Sequence, residues 1–247
     1  MDRGPRHAVP TWTLGSRANN NPTARAALFD PSFLRGQIFI KGFFVFSFLK
    51  NLAQSFNPYD TKTVLRQKMG AERKRAQAER ADAPLHAARI FMEHIAPGPD
   101  DCVALYYPYR SELDTFPLRD ELQTRAISVA LPVVTEEDAP LIFRSWTPQT
   151  NLVSGKFKIQ VPDENSATIT PTIIVCPLLA FGSKGERLGY GGGFYDRTLE
   201  KLRAMGGVRA IGYGYGAQRL DHLPTNRLDQ PLDWMITERG ALNFEPR

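Results

Sequence analysis

The stretch Thr172-Ile173-Ile174-Val175-Cys176-Pro177-Leu178-Leu179-Ala180-Phe181-Gly182-Ser183-Lys184-Gly185-Glu186-Arg187-Leu188-Gly189-Tyr190-Gly191-Gly192-Gly193-Phe194-Tyr195-Asp196-Arg197 passes from an apolar run, through a glycine-dense loop, into a helix. Residues 172–176 are short, apolar and β-branched, the pattern of a central strand. Six of the twelve positions from Gly182 to Gly193 are glycine. Such density costs unfolded-chain entropy and needs a geometric reason, either positive φ or backbone pressed against a ligand. Beyond the loop, Tyr195, Leu199 and Leu202 recur at i, i+4 and i+7, so one face of a helix over 193–205 meets the core. In open α/β sheets, ligands bind where strands end and helices begin. A helix N-terminus fronted by bare amides favours an anion such as phosphate. The loop is not a Walker A loop, because no Gly-Lys-Ser/Thr ends it, and the dinucleotide fingerprint does not fit.

The flanking sequence repeats the alternation of helix and strand. Asp60 is placed to cap a helix over 62–80. Pro84 opens a second helix, which Pro97-Gly98-Pro99 ends. Residues 102–107 read as a buried strand, and Thr115 with Pro117 starts a helix to about 128. Strands are expected over 129–135, 141–146 and 208–213, with 234–237 closing the series. This order predicts a layered α/β domain with a mostly parallel sheet.

Composition narrows the function classes. The 247 residues are 42% hydrophobic and 23% charged, which is globular. No apolar run reaches the roughly 18 residues a membrane span needs. Cys102 and Cys176 cannot build a disulfide framework or a four-ligand zinc site, and they point to a reducing compartment. The net charge of +5 sits in residues 1–50, which hold seven basic and two acidic side chains; the remainder is balanced. A nucleic-acid reading would need clustered cations on a folded face. Residues 1–58 are read as a poorly structured basic leader, with a start assigned upstream of the real one. A transit peptide and a surface-lying anchor around the aromatic run at 38–49 are the alternatives.

Residues Arg187-Leu188-Gly189-Tyr190-Gly191-Gly192-Gly193-Phe194-Tyr195-Asp196 resemble the signature of the 5-formyltetrahydrofolate cyclo-ligase family, the methenyltetrahydrofolate synthetases. Three further segments match in order. Lys62-Thr63-Val64-Leu65-Arg66 is similar to the family's Lys-x-x-x-Arg helix. Tyr107-Pro108-Tyr109-Arg110-Ser111-Glu112-Leu113-Asp114-Thr115 is similar to its strand-then-loop element. Asp229-Gln230-Pro231-Leu232-Asp233 with Ile236-Thr237-Glu238 is similar to its C-terminal element. The resemblance spans about 60 to 240 and implies a layered, Rossmann-like domain at 59–247, its mostly parallel sheet flanked by helices. It also implies a cytoplasmic, magnesium- and ATP-dependent ligase acting on 5-formyltetrahydrofolate, with or without a polyglutamate tail. The formyl oxygen would take the γ-phosphoryl and N10 would then attack the activated carbon. That chemistry asks for positioning and charge neutralisation, and no side-chain nucleophile is assigned. A folate- or nucleotide-binding module without turnover is the alternative. Neither a nucleic-acid partner nor a membrane span is expected.

Roles carried over by the resemblance are these. Lys62 and Arg66, on one helix face at i and i+4, contact ATP together with Arg187 and the run Leu188, Gly189, Tyr190, Gly191, Gly192, Gly193, Phe194 and Tyr195. Tyr107, Glu112, Tyr190 and Phe194 face the folate. Asp196 and Asp233 hold Mg2+. The structural alternatives are a core position for Tyr107 and Tyr195, an Arg110 salt bridge for Glu112 and a strand-capping role for Asp233. Arg73-Lys74-Arg75 reads as solvated surface. One departure stands out: the family's Phe-Gly-Ile-x-Glu-Pro is here Phe157-Lys158-Ile159-Gln160-Val161-Pro162.

Overall fold

The computed structural model describes residues 58–244. The leader expectation for 1–58 lies almost wholly outside them. Helix α1 (Pro58–Glu79) and helix α2 (Ala83–His94) precede the first strand, β1 (Cys102–Ala104). Helix α1 begins two residues ahead of Asp60, so the expected cap lies inside it. The strand is shorter than predicted. The chain turns away after Ala104, and Tyr106 is locked there by a hydrogen bond from its hydroxyl to the carbonyl of Leu113.

Helix α3 (Phe116–Thr124) follows, starting under Pro117 as expected. It stops short of 128 because Ala126 takes a φ of +57°, which releases the chain into β2 (Ser128–Val133). Strand β3 (Ile142–Ser145) comes next, then a hairpin of β4 (Leu152–Ser154) and β5 (Gln160–Pro162). The central strand β6 (Ile173–Cys176) leads into a second hairpin, β7 (Ala180–Phe181) with β8 (Arg187–Leu188). Helix α4 (Phe194–Ala204), β9 (Arg209–Tyr213) and β10 (Trp234–Thr237) match the sequence reading. The series does not close there: β11 (Gly240–Asn243) turns back antiparallel to β10.

The seven-stranded sheet has the order β11-β10-β9-β6-β1-β2-β3. Its five middle strands are parallel, and the two edges are antiparallel. Strand alternation divides the buried side chains between two faces. Val103, Ile173, Val175 and Ile211 meet α2 and α3 through Phe91, Leu118 and Leu122. Ala104, Ile174, Cys176 and Met235 meet α4 through Leu199. A smaller cluster seats α1, by Leu65 and Met69, on the β7–β8 hairpin at Leu188.

From β1 the chain proceeds to β2 and β3 on one side. From β6 it proceeds to β9, β10 and β11 on the other. Strand order therefore reverses between β1 and β6, and a crevice opens outside the carboxyl ends of those two strands. Among the described residues no helix is long and apolar enough to cross a membrane.

Candidate active site

The loop after β1 and the loop after β6 meet α1 at this switch point. A cleft of about 610 Å³ lies there, lined by Arg66, Gly70, Arg73, Ser111, Leu179 and Tyr190 among others. Three cations of α1 project along one stripe. Lys62, Arg66 and Arg73 fall within roughly 40° of one another at 100° per residue.

Lys62 Nζ lies 2.7 Å from Oδ2 of Asp229, in the C-terminal element. Arg66 Nε donates to the carbonyl of Gly189 at 3.0 Å. A Cβ at Gly191, whose φ is +103°, would stand 3.2 Å from the Arg66 guanidinium. A side chain there would displace the arginine that holds the loop. Gly193 is the N-cap of α4 at a φ of +68°, so the first turn of that helix opens toward the loop without a side-chain cap.

Arg73 overturns the solvated-surface expectation. It is 2% exposed, while Lys74 and Arg75 are exposed as predicted. Its Nε donates to Ser111 Oγ at 3.2 Å, its Nη1 to the carbonyl of Leu178 at 3.2 Å, and its Nη2 to the Tyr190 hydroxyl. Nη1 also lies 3.7 Å from Oε1 of Glu112. The partner of Glu112 is thus Arg73 and not Arg110, whose guanidinium covers the Tyr109 ring. The stripe of Lys62, Arg66 and buried Met69 was the sequence signal that could have identified Arg73.

Glu112 is 5% exposed, and Oε2 accepts the amide of Tyr109 at 2.9 Å. Burial pushes its carboxyl up to about 7, against the opposing pull of the Tyr109 amide, Arg73 and Tyr190. The neighbouring hydroxyl of Tyr190 is likewise raised, first by burial and then by the Glu112 charge. Tyr190 as a whole remains 45% exposed, and its ring meets Tyr109 edge-on.

Arg187 is buried, with Nη2 2.6 Å from Oδ1 of Asp196; the same oxygen accepts the amide of Gln230 at 3.0 Å. The Arg187 Nε is buried with no hydrogen-bond partner, an unsatisfied donor beside the glycine loop. Phe194 meets Phe157 of the β4–β5 hairpin edge-on, with ring centroids 6.2 Å apart. Tyr195 is half-buried under the Arg187 guanidinium and packs on the α4 face of the sheet. Leu188 is 2% exposed and serves the α1 interface.

Two further expected site residues have partners of their own in the free protein. Tyr107, half-buried, packs edge-on against Phe116 with centroids 5.4 Å apart, in a cluster with Trp146 at the edge of the core. Asp233, expected to hold metal, has both carboxylate oxygens 3.0 Å from Nη2 of Arg203. Its Oδ2 also accepts the amide of Ala210, so it ties α4 and β9 to the C-terminal element. No group of three or more His, Cys, Asp or Glu side chains forms a metal cage among the described residues. Mg2+ needs less, because one or two carboxylates suffice when phosphates and waters complete its shell. Asp196, one-quarter exposed in the first turn of α4, fits that requirement.

Fold and site together define a class: an α/β domain that gathers cations, backbone amides and one accessible carboxylate near the switch point of its sheet. Comparison with known proteins makes this specific. The model of the 5-formyltetrahydrofolate cyclo-ligase family matches residues 58–238, and the chain belongs to that family. It is 36% identical over 140 residues to the 5-formyltetrahydrofolate cyclo-ligase of Escherichia coli K12, covering 55% of this chain and 76% of that one. The Haemophilus influenzae enzyme of the same name is 36% identical over 135 residues, 53% of this chain and 72% of its own. The solution structure of Aquifex aeolicus 5,10-methenyltetrahydrofolate synthetase superposes with a TM-score of 0.60 at 26% identity, covering 75% of this chain and 94% of that one. A Mycoplasma pneumoniae 5,10-methenyltetrahydrofolate synthetase, at 24% identity and a TM-score of 0.55, shares the fold over 72% of this chain and 98% of its own.

Proposed function

We propose that the protein converts 5-formyltetrahydrofolate to 5,10-methenyltetrahydrofolate, consuming ATP and releasing ADP and phosphate. The observation that carries this reading is the convergence of Arg66, Arg73 and Tyr190 on one cleft at the switch point, with Glu112 behind Arg73 and the Gly189 carbonyl held by Arg66. The cations and loop amides suit a polyphosphate. A buried carboxyl that titrates near neutrality suits the amide-like donors of a pterin.

In this scheme the formyl oxygen attacks the γ-phosphorus and ADP leaves. N10 then attacks the activated carbon, loses its proton, and the C–O bond to phosphate breaks. Lys62, Arg66 and Arg187 hold the phosphates, with the unsatisfied Nε of Arg187 as a ready donor. Tyr190 and Phe194 flank the folate, and Asp196 would hold Mg2+. The ion, when bound, would neutralise charge on the β- and γ-phosphates. Lys62 and Arg187 are each held by a carboxylate in the free protein, Asp229 and Asp196, so phosphate takes over cations that are already oriented.

The reaction is assigned to residues 59–247, and a polyglutamate tail would extend from the same cleft. Cys102 and Cys176 are buried, unpaired thiols, which supports a cytoplasmic setting. Incubation with 5-formyltetrahydrofolate, ATP and magnesium tests the reading by the rise of methenyltetrahydrofolate absorbance. Folate binding with no such rise would favour the binding module.

A further inference from the structure

We propose that Arg73 is a positioning residue: by bonding both loops that flank the switch point, it fixes Glu112 and Tyr190 as one wall of the folate-facing cleft. The inference rests on the folate reading given above. Arg73 is the place where three segments are joined. Its planar fork engages Ser111 and Glu112 from the loop after β1, the Leu178 carbonyl from the exit of β6, and the hydroxyl of Tyr190 from the glycine loop. Lysine, with one nitrogen on a flexible stem, cannot span these partners.

Other bonds hold each loop separately, Tyr106 on Leu113 in the loop after β1 and Arg66 on Gly189 in the glycine loop, whereas Arg73 bonds both. Tyr190 has an exposed ring flanked by glycine on both sides, and Arg73 anchors its hydroxyl. The cleft wall itself contains Arg73, Ser111 and Tyr190. The geometry therefore couples folate-facing groups on two loops through a residue in a helix.

The charge balance around Glu112 gives a readout that packing alone would not move. Facing it are Arg73 from α1, Tyr106 from the segment after β1, Tyr190 from the glycine loop and Tyr195 from α4; the Tyr109 amide donates to it. Arg73 is the one cation among them. Its removal leaves burial, which favours the neutral acid, opposed by only the Tyr109 amide and the Tyr190 hydroxyl.

The test uses the full chain with Arg73→Met and Arg73→Lys. In the free protein, carbon-13 NMR follows the Glu112 carboxyl. Its midpoint should rise by about one pH unit or more in Arg73→Met, the effect of losing a nearby opposite charge. In turnover, KM for 5-formyltetrahydrofolate should rise about tenfold or more while KM for ATP stays within about twofold, because Arg73 bonds the folate-facing side chains and none of the cations assigned to phosphate, and the Gly189 backbone stays tied to Arg66. The acid limb of kcat/KM should move with the Glu112 midpoint. An unchanged midpoint, or equal rises in both KM values, would overturn the proposal. If Arg73→Met does not fold, Arg73→Lys decides by the same split in KM. A wild-type protein that makes no product sinks the proposed reaction, and the NMR titration still decides the role of Arg73.

Discussion

Arg187 and Asp196, nine residues apart, form a 2.6 Å ion pair at the mouth of the glycine loop, the cation assigned to phosphate held by the carboxylate assigned to magnesium. Each therefore keeps the other oriented in the free protein, and under the proposed function a nucleotide would replace the pair with two separate contacts. The Gln230 amide on the same oxygen adds a structural duty to Asp196.

Asp196→Asn should lower turnover about a hundredfold or more and raise the magnesium needed for half-maximal rate. It should also cost about 1–3 kcal/mol of stability, because Arg187 is left buried without its counter-charge. Kinetics across a magnesium titration, with urea unfolding of the same sample, check both. Unaltered magnesium dependence contradicts the assignment.

Asp233 gives the contrasting case. Its clamp on Arg203 and Ala210 predicts that Asp233→Asn destabilises by about 1–2 kcal/mol yet leaves the magnesium requirement unchanged. The same two measurements on this variant check it, and a loss of activity restored by added magnesium would return Asp233 to the metal.

Glu112 governs a pH-dependent part of stability. Its folded value of about 7 lies above the ordinary 4.5 of a glutamate, so the folded state binds its proton more tightly than the unfolded chain does. That contribution is fully present below about pH 4.5 and is lost as pH rises through about 7, on the order of 3 kcal/mol in all. Glu112→Gln should flatten the corresponding slope. Denaturation midpoints at pH 5.5 and pH 8 measure it, and equal slopes in both proteins would contradict the burial effect.

The parallel core was legible in the sequence because its runs are short, apolar and bounded by glycine or proline. What escaped were features set by tertiary contact. Arg73 reads as one of three adjacent cations, and only its register with Lys62, Arg66 and Met69 marks the inward face. The hairpin of β7 and β8 is two residues per strand, too short for alternation to register. Strand β11 begins at Gly240, directly after the turn at Glu238-Arg239, and its pairing with β10 depends on that turn. The Asp233 ion pair escaped because a carboxylate in a matched motif carries no sign of the arginine, thirty residues earlier, that binds it in the free protein.

Lys158 marks where this chain departs from its family's pattern. It takes a φ of +59°, next to Phe157 at +58°, in the left-handed region that a glycine occupies without steric cost. Lys158→Gly should therefore stabilise the β4–β5 hairpin by up to about 1 kcal/mol. Thermal unfolding checks the sign, and a lower Tm would show that the lysine side chain contributes more than its backbone conformation costs.

The central claim is that this cleft drives phosphoryl transfer to the formyl oxygen followed by ring closure. It is tested most directly with 5-formyltetrahydrofolate carrying oxygen-18 in the formyl group, incubated with the protein, ATP and magnesium. The predicted result is one labelled inorganic phosphate for each methenyltetrahydrofolate formed. Label recovered in water, or folate bound with no product, would contradict it.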